Sequence, residues 1–251
     1  MIIAVGSWRG TGTTTTAVLI AACLAVGEEH ESWLIEADPA GGALAGRMQL
    51  ASDTIGGLER VAFPTERVAP LEAFESVAHK VSGMRIVTAP SDPFRSHACH
   101  QPRLPWIASL RELSRNVVVD VGRVRSATPV WPILAAADVV LLVTSPEVSA
   151  AVSTSEWMQA NGRVSPVDPG LESGKTRLVF VDSPGGVSFP RTMLSGELDD
   201  QFAAWLPWDR AAVDLLYRGA MPDDRRFRRS ALIGAVNQLT LDVTTSEQVD
   251  A

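Results

Sequence analysis

Lysine is almost missing from this chain. Lys80 and Lys175 are the only two among 22 basic side chains, the rest being arginine. Cysteine is as sparse: Cys23 and Cys99 stand far apart, which excludes a disulfide framework and favours a reducing cytoplasm. Long hydrophobic runs are absent too. The longest, Ala17 to Val26, is too short to span a bilayer. Met1 to Val5 is too short for a signal segment, and no basic stretch precedes it. Positive charge is not in excess. A net charge of −7 argues against nucleic-acid binding by the whole surface and leaves only local basic patches. Tyrosine occurs once, against seven tryptophans.

What is present suits one large domain. A chain of 251 residues, 46% of them hydrophobic, can bury a sizeable core. Short β-branched runs alternate with helical patterns. Candidate strands are Ile2–Val5, Trp33–Glu36, Arg85–Thr88, Asn116–Val121, Val139–Val143 and Arg177–Val181. Candidate helices are Thr14–Val26, Leu71–Val81, Trp106–Ser114, Pro129–Ala137, Ser149–Ala160, Arg210–Tyr217 and Arg225–Leu239. Near-continuous Val/Ile/Leu strands separated by helices predict an α/β fold: a doubly wound, mostly parallel sheet with helices on both faces. Residues 1–239 are expected to form the domain and 240–251 a polar, flexible tail. Segments 164–176 and 182–191, rich in Pro, Gly and Ser, read as loops. Ligands of such sheets bind beyond the carboxyl ends of the strands. The segments to inspect are therefore 7–14, 37–42, 89–93, 122–126, 144–147 and 182–186.

The first of these segments is the most specific. Ser7 to Thr14 lies between a strand and a helix, the context a phosphate loop needs. The pattern GxxxxGK[ST] puts Gly12 at its last glycine, Thr13 at the lysine and Thr14 at the magnesium-ligating hydroxyl. Gly10 and Gly12 keep the backbone freedom for wrapping phosphates at a helix start. Thr11 lies between them. Thr14, with Thr15 beside it, keeps the hydroxyl. Thr13 cannot supply the charge, and Arg9 is the nearest substitute over the phosphates. A bias toward arginine would have put arginine at 13, so composition does not explain the threonine. The structural alternative is a glycine turn into a helix with no ligand.

Two acidic strand ends follow. Glu36 and Asp38 form a carboxylate pair at i and i+2, which can aim one group at metal or water; a strand closed by an Asp-Pro turn reads the same way. Val117 to Val119 lead into Asp120, the pattern of a buried strand whose aspartate orients magnesium through water. Alone, that signal is weak, and its value comes from its order after the loop.

These elements, with 136–147 (AADVVLLVTSPE) and 206–221 (LPWDRAAVDLLYRGAM), resemble the ParA/MinD family of deviant Walker A P-loop ATPases over nearly the whole chain. The family loop reads KGGxGK[ST]. Its signature lysine aligns with Trp8, its second lysine with Thr13 and its magnesium threonine with Thr14. The resemblance implies Asp38 as the water-positioning carboxylate, Asp120 as the Walker B aspartate, and Asp182 in place of an asparagine beside adenine. Pro207 and Asp209 would line the base pocket. It further implies ATP and Mg2+ as cofactors, a homodimer and a protein partner. Both lysines and the first acid of the DxD are changed. The expected function is therefore a regulatory or positioning factor (partitioning, polar localisation, or assembly of pili, secretion or conjugation machines) with weak or absent hydrolysis. A genuine slow Mg-ATPase with Arg9 as the cation is the alternative. The chain begins at its first strand, so the extra N-terminal domain of some pilus-associated relatives is not expected.

Weaker features complete the reading. Arg225, Arg226, Arg228 and Arg229 would start the last helix as a basic edge that is either solvated or a DNA contact; overall acidity favours the solvated edge, and membrane docking is favoured still less. His97, Cys99 and His100 are spaced too tightly for a usual zinc site. Trp106, Trp131, Trp157, Trp205 and Trp208 read as core. Trp8, in a loop expected to be exposed, is the candidate partner contact.

Overall fold

A computed structural model describes residues 1–26, 31–50, 57–101, 104–113, 116–124, 128–161, 175–184, 191–192, 201–227 and 229–249. Arg228, most of the 164–176 loop and much of the 182–191 loop lie outside them. In chain order the elements are β1 (Ile2–Ser7), α1 (Thr13–Leu24), β2 (Ser32–Glu36), α2 (Leu44–Arg47), α3 (Gly57–Ala62), α4 (Pro70–Val77), β3 (His79–Val81) and β4 (Met84–Val87). Then come α5 (Pro93–Ala98), α6 (Trp106–Ser109), β5 (Asn116–Arg123), α7 (Trp131–Ala136), β6 (Val139–Thr144), α8 (Val148–Asn161), β7 (Thr176–Val181), β8 (Phe202–Leu206), α9 (Arg210–Tyr217) and α10 (Ala231–Val249).

The strands form one sheet in the order β3-β4-β2-β5-β1-β6-β7-β8, with every pairing parallel except β3 with β4. Alternating side chains of each strand feed two cores. Ile3 and Val5 of β1 join α1, α9 and α10 on one face. Ile2 and Ala4 join Leu58 of α3, Phe74 of α4, Trp106 of α6 and Ile133 of α7 on the other. The doubly wound sheet expected from the alternation is therefore present. From β1 the chain crosses to β2 on one side, and β6 lies on the other. That is the topological switch where such sheets bind ligands.

Several element boundaries differ from the sequence expectation. The helix expected over 71–81 ends at Val77, and His79–Val81 turns back as an antiparallel edge strand on β4. Ser82 and Gly83, both with positive φ, make the turn. β8 carries no clear strand signal in the sequence, because Ala203 and Ala204 blur its alternation. The final helix starts at Ala231, after a separate 3-10 turn at Arg225–Phe227, and runs on to Val249. Polar residues past 239 do not stop it: Thr240 and Thr244 hydroxyls donate to the carbonyls of Val236 and Thr240, and Val243 is buried.

Candidate functional site

The ends of β1, β2 and β5 meet at the start of α1. The loop leaving β1 is closed from within: the Gly10 N–H donates to Ser7 Oγ at 2.9 Å, and Ser7 is fully buried. The Thr11 hydroxyl donates to the Val143 carbonyl of β6 at 3.4 Å. Gly10 and Gly12 sit at φ 81° and 74°, in the left-handed region where glycine carries little strain. Gly12 precedes α1, whose start has no capping side chain and no acid in its first turn. Its free N–H groups and dipole are open to an anion.

Thr13 occupies the lysine position and is buried, its Oγ1 without a partner among the described residues. The Thr14 side chain lies beside Asp120, close enough to lower its pKa. Asp120 is fully buried. Its Oδ1 accepts from the Gly122 N–H at 3.1 Å, and its Oδ2 has no partner among the described residues. Burial first, and then the nearby Glu36 and Asp38 carboxylates, push its pKa up to about 7 against the Thr14 hydroxyl and the Gly122 hydrogen bond. An acceptor left empty beside a threonine hydroxyl suits a hydrated divalent cation. Thr14 and Asp120 therefore fit the magnesium role.

Asp38 lies beside them. Its Oδ1 accepts from the Ala40 N–H at 2.8 Å. Burial raises its pKa, while the Ala40 hydrogen bond and the Arg123 charge pull it down. The carboxylate rests on Gly122: a Cβ there would fall 2.1 Å from Asp38 Cγ, so only glycine fits. Glu36, the other member of the pair, is a structural staple. Its Oε1 accepts from the N–H groups of Ala43 and Leu44, and its Oε2 from Ala89. Gly10, Gly12, Thr13, Thr14, Asp38 and Gly122 line a cavity of about 180 Å³ together with Arg47 and Arg123.

A second cavity, of about 140 Å³, opens on the other side of Gly12. Thr15, Leu19, Val181, Leu206, Pro207, Val213 and Leu232 make it largely apolar, with Trp208 and Asp209 also in its wall. Asp209 also caps α9 through Ala212 (2.9 Å) and accepts from the Ser230 hydroxyl (2.8 Å). Asp182 was expected beside the base. Its carboxylate is held instead by the Trp205 indole and Arg191, which also stacks over the Trp205 ring at 4.9 Å.

The structure thus brings the loop, Thr14, Asp38 and Asp120 together, with Pro207 and Asp209 in the adjoining cavity. It leaves other expected residues outside. Arg9 is exposed and lines neither cavity. Trp8 is half-buried rather than exposed. Its ring lies 6.3 Å from Trp157, which stacks on Trp131 at 5.7 Å. Trp208, read as core, is 53% exposed at the cavity rim. Arg226 is paired with Asp224 at 2.8 Å, while Arg225 and Arg229 are exposed. His100 is buried, with its pKa pushed down to about 4, and it meets Trp106 edge-on. No group of His, Cys, Asp or Glu able to hold a metal by itself occurs among the described residues. Sequence reading missed Arg47, which carries no motif, and Arg123. The segment after β5 is one where ligands of such sheets bind, but nothing in the sequence distinguishes Arg123 from Arg125, which lies outside the described residues.

No protein-family model matches the chain, and no curated protein does. Solved structures do. A ParA family ATPase from Chlorobium tepidum superposes with a TM-score of 0.77 at 13% identity, over 96% of this chain and 98% of that one. The septum site-determining protein MinD of Pyrococcus horikoshii, in complex with Mg-ADP, gives 0.69 at 14%, over 100% and 98%. An ATP complex of McdA from Cyanothece gives 0.64 at 15%, over 98% and 95%. The chain therefore has the fold of ParA/MinD-type P-loop proteins from end to end.

Proposed function

We propose that this protein is a ParA/MinD-type positioning or partitioning factor that binds an adenine nucleotide with magnesium and hydrolyses it slowly or not at all. One observation carries the reading: the left-handed glycine loop, Thr14 and Asp38 line one cavity with buried Asp120 beside Thr14, and an apolar cavity adjoins it at Gly12, while Thr13 removes the loop lysine. The loop and the α1 start would hold the phosphates. Thr14 directly, and Asp120 through water, would hold the cation, which supplies charge neutralisation. Leu206 to Asp209 would bound the base. Losing a charge that acts on the transition state costs orders of magnitude in rate. Action through a dimer surface and a protein partner follows from this reading, since a slow cycle leaves the bound state as the signal. Neighbours solved with Mg-ADP and with ATP support the ligand class.

The slow-ATPase reading has one observation in its favour: Asp38 is poised in the cavity beside Arg123. Single-turnover assays with Mg-ATP separate the two. Undetectable turnover despite binding, or residual turnover unchanged in Asp38→Ala, is expected. Slow, saturable turnover that is abolished by Asp38→Ala establishes the slow ATPase and sinks the positioning-factor reading.

A further inference from the structure

The cavity has lost its loop charge without losing charge altogether. Arg123 follows Gly122 at the end of β5. A Cβ on Gly10 would meet Arg123 Nε at 2.5 Å and Nη2 at 2.9 Å, so the guanidinium lies across the loop itself. The Arg123 side chain makes no hydrogen bond or ion pair among the described residues, and it lines the same cavity as the unpartnered, buried Thr13 Oγ1. A second cation, Arg47, lines this cavity too. Arg47 Nη1 donates to the Tyr217 hydroxyl at 3.1 Å, and that hydroxyl also bonds Thr15 Oγ1 of α1 at 2.9 Å. Two guanidinium groups thus flank a helix start already open to anions. A planar guanidinium fork matches phosphate oxygens in pairs, which an ammonium cannot do.

We propose that Arg123, assisted by Arg47, is the phosphate clamp of this site, entering from the end of β5 instead of from the first turn of α1. The proposal rests on the nucleotide reading above. It explains how threonine is tolerated at 13: the neutralising charge comes from a different strand.

Calorimetric titration of the whole chain with Mg-ATP, ADP and adenosine tests it, using the wild type, Arg123→Ala, Arg123→Lys and Arg9→Ala. Arg123→Ala is expected to weaken ATP binding about tenfold or more, ADP less, and adenosine not at all. Arg123→Lys should recover part of the loss, and Arg9→Ala should cost less than Arg123→Ala. ATP binding unchanged in Arg123→Ala, or equal losses for ATP and adenosine, overturns the clamp alone. A wild type that binds no nucleotide overturns the nucleotide reading and the clamp with it.

Discussion

The two ends of the cleft are built in opposite ways. At the end proposed for the base, shape is kept: apolar side chains from α1, β7, β8 and α10 surround the cavity, and the carboxylate in its wall, Asp209, is spent on a helix cap. At the end proposed for the phosphates, chemistry is kept while its source moves. Backbone geometry, hydroxyl and acid stand where the motif puts them, but the cations come from β5 and α2. Shape arises from packing many residues and survives small changes. A point charge needs only one side chain of sufficient reach, and several neighbouring strand ends can supply it.

The sharpest way to break this contrast is at Gly122. Gly122→Ala places a methyl in the Asp38 carboxylate at a positive φ, and about 2 kcal/mol of stability should be lost. Chemical denaturation reads this, and an unchanged midpoint would remove Asp38 from the cavity wall. Asp120→Asn comes next. The folded pKa, about 7, lies above the ordinary 3.8, so the native state holds the proton more tightly. The ionised carboxylate therefore destabilises. That penalty is absent below about pH 4 and complete above about pH 7. Without nucleotide, Asp120→Asn should melt a few degrees higher than wild type at pH 8, with the gain gone by pH 4. It should also lose the tightening of ATP binding by magnesium, which in the wild type grows as pH rises through about 7. Trp208→Ala tests the base end, where a roughly threefold loss is expected for adenosine and none for inorganic triphosphate. Loss of triphosphate instead would merge the two ends. The smallest effect belongs to Tyr217→Phe. It frees Arg47 and Thr15 and should weaken ATP about twofold, with adenosine unchanged.

Much of the fold was legible because buried parallel strands write themselves as Val/Ile/Leu runs. Asn116 to Val121 and Val139 to Val143 are clear cases. The edges were not. β3 shares a continuous pattern with α4, and only Ala78 stands between them before the Ser82–Gly83 turn leads into β4. At the site, the loop, Thr14 and Asp120 could be read because order along the chain fixes their place in space. Arg123 could not be singled out, since its meaning depends on how its side chain lies over Gly10. Trp8 misled for a related reason: loop position predicts exposure, but Trp157 lies within ring contact of it.

Titrating the wild-type chain with ATP at pH 8, with and without magnesium, bears most directly on the claim that this cleft still holds nucleotide without a loop lysine. Saturable binding with a Kd below about 1 mM, tightened by magnesium, is the expected result. No heat or fluorescence change at several times that concentration, about 5 mM, would contradict it.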